Sequence, residues 1–174
     1  PTVDRLLALG PVEKLHGLSL KDKRGGTGNV HSWDIGLKGE VTPQQRALLN
    51  ALLLQRRKRK WAEEIGIEWM DGMPLTEGQI ATFFDDAQLH EMLEDLVAKR
   101  YLSYEHPKQR VEVTGSTGRT GYARVPDPSR PKGYNIVAGK LSYEVNKILD
   151  PNGIAPTLVA TDMQRLYVPD GQGL

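Results

Sequence analysis

The sequence predicts an α+β fold in which a helical module carries a β-ribbon and a small β-rich segment follows. Three observations lead to this prediction. Leucines and other apolar residues recur with helical spacing between residues 43 and 98. Apolar and polar residues alternate in short runs from residue 101 onward. The 18 glycines and 11 prolines among 174 residues indicate many loops between these elements.

Residues 1–41 are expected to form an N-terminal connector with a short helix and a glycine-rich loop. The helix would follow a Thr2 cap and end at Gly10-Pro11. The loop at residues 25–29 lacks the Lys-Ser/Thr ending of a phosphate-binding loop, which favours a flexible connector. Trp33 is expected to be a buried anchor rather than a base-stacking residue.

A long helix is predicted from Thr42 to about Gly66. Thr42 can cap it, Pro43 suits its first turn, and Gln45 can complete a capping box. Its apolar stripe comprises Leu48, Leu49, Leu52 and Leu53. The second half carries the basic run Arg56-Arg57-Lys58-Arg59-Lys60, which could grip nucleic-acid phosphates or form an ordinary solvated face.

The spacing from residue 75 predicts two further helices and a β-ribbon. A short capped helix occupies 75–84, a second helix runs over 87–99, and alternating runs at 101–105 and 110–114 flank a turn at 106–109. Helix, short helix, turn, helix and ribbon is an order that resembles a winged helix-turn-helix. Residues 42–114 are therefore interpreted as a winged-helix-like module.

The charge pattern bears on what such a module could contact. Residues 62–98 contain ten acidic residues and no Lys or Arg, whereas residues 99–147 contain ten basic and four acidic residues. An acidic second helix is poorly suited to a DNA groove, since phosphate charge is dense there. We expect the module to act as a scaffold, or to touch DNA through its ribbon and the basic run.

The last two segments are rich in turn-forming and basic residues. Residues 115–132 form an Arg/Gly/Pro-rich loop whose Arg119 and Arg124 could lie along a nucleic-acid backbone, although a disordered linker has the same composition. Residues 133–174 are predicted to be β-rich, with strand-like runs at 134–138 and 154–160 in a hairpin-like arrangement.

Several classes of function are excluded or disfavoured by composition. The absence of cysteine excludes disulfides, thiolate metal sites and a cysteine nucleophile in this chain. The four histidines show no zinc-ligand spacing, so no metal is expected. No secretory signal and no apolar run of about 20 residues is present, which makes the cytoplasm the expected compartment and a membrane an unexpected partner. The missing initiator Met indicates processing, a tag remnant or a fragment.

The segment from residue 131 to residue 162 resembles the C-terminal part of the target recognition domain of bacterial DNA (cytosine-5)-methyltransferases. The similarity lies in the run from Gly133 to Ser142 and the run from Lys147 to Asp162, which includes Gly153-Ile-Ala-Pro-Thr157-Leu. In the family, a variable loop and an Arg-Leu-Thr-x-Arg-Glu type motif follow. This chain stops at Leu174, where that motif would be expected to begin.

The resemblance implies double-stranded DNA as a partner and a catalytic domain in the same polypeptide. It implies two reading loops, near residues 139–147 and 157–162, with Thr157 contacting the DNA backbone beside the flipped cytosine. Lys can donate to guanine and Asn can pair with adenine. The expected DNA-binding residues are Lys140, Ser142, Tyr143, Asn146, Lys147, Thr157, Thr161, Arg56, Arg57, Arg59, Arg119 and Arg124.

The resemblance also implies what this chain lacks. The cysteine nucleophile, the Glu-Asn-Val motif and the glycine-rich cofactor motif of the family are missing. We therefore expect no catalytic and no cofactor-binding residues here, with S-adenosylmethionine used by the parent enzyme. Two alternatives remain open: a non-enzymatic winged-helix regulator, and a protein-interaction module using the acidic residues of 62–98.

Overall fold

The computed structural model describes residues 2–22, 28–114, 118–138, 147–150, 152–153 and 166–167. The chain divides into two compact units. Unit 1 comprises residues 1–46 and 138–174, and unit 2 comprises residues 47–137. The two boundaries between the units, after residues 46 and 137, differ from the segment boundaries expected at residues 42 and 133.

Unit 1 is built around a small four-stranded sheet. It contains α1 (Thr2–Leu7), a 3-10 helix (Val12–Leu15), β1 (Ser19–Leu20), β2 (Asn29–Val30), β7 (Lys147–Ile148) and β8 (Leu166–Tyr167). The sheet order is β2-β1-β7-β8, with β1 parallel to β2, antiparallel to β7, and β7 parallel to β8. The core side chains are Leu6, Leu15, Leu20, Val30, Ile35 and Ile148.

The connector expected at residues 1–41 therefore contributes to a packed core. Trp33 is 1% exposed and stacks on His31 at a centroid distance of 4.5 Å, which confirms the prediction of a buried anchor. Buried Asp22 accepts hydrogen bonds from the amide and hydroxyl of Ser32 at 2.7 and 2.6 Å. Most of the glycine-rich loop lies outside the described residues.

Unit 2 combines helices with two β-pairs. The helices are α2 (Pro43–Gln55, with its first turn in unit 1), α3 (Lys60–Glu64), α4 (Glu77–Ala81) and α5 (Leu89–Ala98). The strands are β3 (Leu102–Glu105), β4 (Lys108–Thr114), β5 (Thr120–Pro126) and β6 (Gly133–Ile136). The predicted leucine stripe is confirmed, since Leu48, Leu49, Leu52 and Leu53 are all buried.

The predicted single long helix is wrong, because α2 ends at Gln55. The carbonyl of Gln55 accepts hydrogen bonds from the amide of Lys58 at 2.9 Å and from the indole of Trp61 at 2.9 Å. The next carbonyl, that of Arg56, accepts from the amide of Met73 at 2.9 Å. These partners replace the helical ones, and α3 starts afresh at Lys60.

Both helix starts with a Thr-x-x-Gln sequence carry capping boxes. The Gln45 amide donates to Oγ1 of Thr42 at 3.1 Å, and the Thr42 amide donates to Oε1 of Gln45 at 3.0 Å, as predicted. Thr76 and Gln79 form the same reciprocal pair at the start of α4. Such pairs satisfy amide groups that have no partner inside the helix.

The strand pairing differs from the predicted ribbon. β3 does not pair with β4 but lies antiparallel to β6, while β4 forms a separate hairpin with β5. Only two residues separate β3 from β4, and Pro107 is buried there with its carbonyl accepting from the Asp127 amide at 2.8 Å. The expectation that residues 115–132 form a loop is also wrong for 120–126, which are β5.

β6 has backbone partners on both of its edges. It pairs with β3 on one side and forms an antiparallel bridge through Tyr134 to Leu75 on the other. The first run of the predicted C-terminal hairpin therefore has its partners in unit 2. The second run, 154–160, lies outside the described residues.

Candidate nucleic-acid interface

The residues expected to read bases lie almost entirely outside the part of the chain that the structure describes. This holds for Lys140, Ser142, Tyr143, Asn146, Thr157 and Thr161. Lys147 is described by its backbone alone, which pairs with Ser19 of β1 and Leu166 of β8. Lys147 is thus the first residue of β7 in the sheet of unit 1.

Arg56 is a structural residue, which corrects its expected place among the DNA contacts. It is only 5% exposed, and its Nη1 donates to Oδ1 of Asn135 at 2.7 Å and to the Ile136 carbonyl at 3.0 Å. Burial lowers the pKa of Arg56 from its ordinary value. Its guanidinium also lies 3.2 Å from the point where a Cβ on Gly72 would stand, so the site has no room for a phosphate.

The remaining four residues of the basic run lie at the surface of unit 2. Arg57 is partly exposed and forms an ion pair, with Nε 2.8 Å from Oδ1 of Asp71. Arg59 is exposed and places Cζ 5.8 Å from the centre of the Trp69 ring. Lys60 holds Nζ 3.8 Å from the centre of the Trp61 ring. Aromatic faces attract these cations without neutralising them, so they remain able to meet a phosphate.

An open cavity of about 290 Å³ adjoins this run. It is lined by Arg59, Ala62, Glu63, Ile67, Glu68 and Trp69. The Trp69 indole donates to the Arg57 carbonyl at 3.2 Å, which holds the ring in the wall. Two carboxylates in the lining make the cavity itself a poor anion site.

The β4–β5 hairpin carries further exposed cations of unit 2. Arg119 and Arg124 are both exposed, consistent with the accessibility that a DNA contact requires. Directly opposite Arg124 lies Arg110, whose Cζ is 3.7 Å from the centre of the Tyr122 ring. Neither Arg110 nor Tyr122 was among the residues expected to bind DNA. The alternation in residues 120–126 is the signal in the sequence that could have revealed the hairpin.

The exposed side of α4 and α5 is acidic, as the composition predicted. Glu77 Oε2 lies 2.9 Å from Nδ1 of His90, and Glu91 is exposed beside it. Glu94 accepts a hydrogen bond from the Tyr134 hydroxyl at 3.0 Å. Burial, reinforced by this hydrogen bond, raises the pKa of Tyr134 to about 12. The exposed surface of α4 and α5 thus carries carboxylates, whereas the hairpin carries guanidinium groups.

Metal binding and membrane insertion find no support in the described residues. Within the described ranges, no group of His, Asp or Glu side chains is placed to hold a metal ion. No helix among the same residues has the length and apolar character needed to cross a bilayer.

Comparison with known proteins identifies relatives along the whole chain. Type II methyltransferase M.NlaIV of Neisseria lactamica is 56% identical over all 174 residues. The chain is related to a segment of type II methyltransferases. M.NgoBV of Neisseria gonorrhoeae, another type II methyltransferase, is 53% identical over 174 residues, and M.HgiCI of Herpetosiphon aurantiacus is 35% identical over 167 residues.

The similarity covers only part of these methyltransferases. The chain spans 39% of the length of M.NlaIV and of M.NgoBV, and 32% of the length of M.HgiCI. No family profile matches the chain, and no solved structure matches it. The resemblance to a methyltransferase inferred from residues 131–162 is therefore confirmed, and the relationship extends through residues 1–130 as well.

Proposed function

We propose that this chain is the target recognition region of a bacterial DNA (cytosine-5)-methyltransferase, binding duplex DNA and selecting the cytosine to be methylated. One observation carries the proposal. All 174 residues align with M.NlaIV and M.NgoBV and cover 39% of the length of each, while the chain has no cysteine to serve as the nucleophile. The segment that recognises DNA and the segment that carries out catalysis are then different parts of one polypeptide.

The division of labour follows from the chemistry of base methylation. An enzyme that acts on a base in a duplex must flip it out of the stack. The other part of the polypeptide would supply the nucleophile, the acid and the site for S-adenosylmethionine, the methyl donor. The sequence does not fit an S-adenosylmethionine site, because the family's glycine-rich motif is missing from it. Methyl transfer is thus not an activity of this chain alone.

Unit 2 is proposed to be a winged helix. The support is the order of its elements: α2, α3, the bridging residue Leu75, α4, α5, β3, the β4–β5 hairpin and β6. In this arrangement α5 holds the position of a recognition helix and the hairpin that of a wing. Because α5 is acidic on its exposed side, DNA contact is assigned to the hairpin and to the surface residues of the basic run.

The base-reading residues are proposed to be those of unit 1. Lys140, Ser142, Tyr143, Asn146, Lys147 and Thr161 keep this assignment from the family resemblance, with Thr157, Arg57, Arg59, Arg119 and Arg124 as backbone contacts. Side chains that reach base edges specify sequence, whereas those that reach phosphates position the protein. The alternative of a non-enzymatic regulator is disfavoured because all 174 residues of the chain are similar to methyltransferases.

A segment exchange tests the proposal. The corresponding segment of M.NlaIV is deleted in one protein, and in a second protein it is replaced by this chain. DNA methylated by each protein in the presence of S-adenosylmethionine is digested to nucleosides and analysed by mass spectrometry. We expect 5-methylcytosine from the exchange and none from the deletion. A folded exchange protein that yields only N4-methylcytosine or N6-methyladenine would show that the cytosine-5 assignment is wrong.

A binding measurement addresses the DNA contact separately. Fluorescence anisotropy of a labelled duplex of about 20 base pairs is recorded with this chain at about 50 and about 200 mM salt. We expect binding that weakens steeply with salt, since each neutralised phosphate releases condensed counterions. Absence of binding at both salt concentrations would contradict the DNA-binding role.

A further inference from the structure

The β4–β5 hairpin has two chemically different faces. Seven residue pairs align in register, from Lys108 opposite Pro126 to Thr114 opposite Thr120. Side chains alternate between faces along a strand, and directly opposed residues share a face. One face therefore carries Lys108, Arg110, Glu112, Thr114, Thr120, Tyr122, Arg124 and Pro126. The other carries Gln109, Val111, Val113, Gly121, Ala123 and Val125.

Arg110 and Arg124 form a like-charged pair at the centre of the polar face. They are directly opposite in the ladder, and both are exposed. Opposed residues in an antiparallel pair have Cβ atoms about 5 Å apart, and like charges at that distance destabilise the pair. Within the residues that the structure describes, Arg124 has no ion pair.

The surroundings of Arg110 orient its guanidinium without cancelling its charge. The stack on Tyr122, at 3.7 Å from Cζ to the ring centre, fixes the plane of the group over a ring that is itself 64% exposed. Glu68 places Oε1 3.7 Å from Nη1 of Arg110, and both side chains are about half exposed. An exposed pair at this distance contributes little, on the order of 0.5 kcal/mol.

We propose that Arg110 and Arg124 together clamp one stretch of the DNA phosphate backbone, with Tyr122 holding Arg110 in position. A phosphate between the two guanidinium groups removes their mutual repulsion, and each planar guanidinium can donate two parallel hydrogen bonds to phosphate oxygens. Lys108 adds a third cation on the same face, and Glu112 is its only carboxylate. The clamp rests on the proposed DNA-binding function and locates one of its DNA contacts on the β4–β5 hairpin.

The salt dependence of DNA binding tests the clamp. The double variant Arg110→Gln/Arg124→Gln is compared with the original chain by anisotropy of a duplex of about 20 base pairs over a series of salt concentrations. We expect the slope of log K against log salt to fall by about 2 in magnitude, since each phosphate contact contributes about 0.9. Affinity should fall by a similar factor for duplexes of different sequence, because phosphate contacts carry no sequence information.

Two control variants separate the clamp from net charge and from folding. Lys14→Gln/Lys21→Gln removes the same charge from exposed positions of unit 1 and should change the slope much less. Arg110→Lys/Arg124→Lys keeps both charges and should retain most of the slope. A double Gln variant that folds and keeps the original slope overturns the clamp while leaving DNA binding in place. If the original chain fails to bind the duplex, both the clamp and the proposed function fall.

Discussion

Nη1 of Arg56 donates a hydrogen bond to Oδ1 of Asn135 at 2.7 Å, joining two residues that are 79 positions apart in the chain. The Asn135 side-chain amide in turn donates to the Gly72 carbonyl at 3.1 Å and to Oε1 of Glu105 at 2.7 Å. One asparagine thus forms hydrogen bonds with a buried guanidinium, a backbone carbonyl and a carboxylate. The turn after α2, the segment before α4, and both strands β3 and β6 meet at this side chain.

Replacing Asn135 should therefore destabilise unit 2. Asn135→Ala removes three hydrogen bonds and leaves the buried Arg56 with one acceptor fewer, which we expect to lower the free energy of unfolding by about 3 kcal/mol. Urea denaturation followed by circular dichroism measures this change. Gln88→Ala, at an exposed side chain without a capping hydrogen bond, serves as the matched control and should change stability by less than about 0.5 kcal/mol. Equal effects of both variants would contradict the role of Asn135.

Gly133 should tolerate no side chain. A Cβ at this position would lie 2.5 Å from the backbone carbonyl carbon of Leu75 and 2.6 Å from its oxygen. The backbone of Leu75 cannot move aside, because it forms a β-bridge with Tyr134. We expect Gly133→Ala to cost about 3 kcal/mol of stability. Thermal unfolding of the variant measures the loss.

Gly78 provides the opposite case for the same substitution. It lies inside α4, and a Cβ there would meet nothing within 4 Å. Because alanine has the higher helix propensity, Gly78→Ala should raise stability by about 0.5 to 1 kcal/mol. A Gly133→Ala protein as stable as the Gly78→Ala protein would show that β6 does not approach Leu75 so closely.

The His90 imidazole should titrate above its ordinary pKa. Its hydrogen bond with Glu77, followed by the charge of the same carboxylate, raises the pKa. Since the folded pKa exceeds the unfolded one, the stabilisation by this pair is complete below about pH 6.5 and is lost as pH rises through the raised pKa. NMR titration of the His90 ring protons measures the value directly.

Variants of two nearby carboxylates assign the cause of that shift. Glu77→Gln should bring the His90 pKa back toward its ordinary value, because it removes the carboxylate charge and leaves only a neutral hydrogen-bond acceptor. Glu91→Gln removes only a minor charge contribution and should lower the pKa by less. Identical titration curves for the original chain and Glu77→Gln would contradict the pairing seen in the structure.

Lys147 should affect sequence choice in an enzyme that carries this chain. It stands where the predicted reading loop rejoins β7, and a lysine can donate to the O6 and N7 acceptors of guanine. Loss of one such contact is worth roughly 1 to 3 kcal/mol, so Lys147→Ala should relax discrimination at one base by about tenfold or more. Bisulfite sequencing of methylated random DNA measures the change. Lys14→Ala is the control, and unchanged site choice with Lys147→Ala would remove this residue from the reading set.

The sequence predicted local structure well where local interactions decide it. The capping box at Thr42 and the leucine stripe of α2 both follow from periodicity and from partners within four residues. The end of α2 at Gln55 did not, because it depends on a tryptophan six positions on and on Met73. The prediction of strand pairing was wrong for the same reason, because the partners β6 and β5 are distant in the sequence or follow a turn. Alternation assigns the faces of β3 and β4, but it does not name the partner strand.

The basic run shows the limit for the candidate interface. Five consecutive cations look equivalent in the sequence, yet Arg56 is buried while its neighbours reach the surface. Its burial requires acceptors from Asn135 and Ile136, which no local pattern indicates. Likewise, the opposition of Arg110 and Arg124 depends on the register of the hairpin. A shift of one residue would place the two arginines on opposite faces.

The two units differ in how the chain supplies them. Unit 1 draws on both ends of the chain, whereas unit 2 is one uninterrupted stretch from residue 47 to residue 137. A gene could therefore gain, lose or exchange the whole of unit 2 by a single recombination event in frame, without altering any codon of unit 1. Under the proposed function, the contacts of unit 2 with the DNA backbone would then vary without any change in the base-reading residues of unit 1.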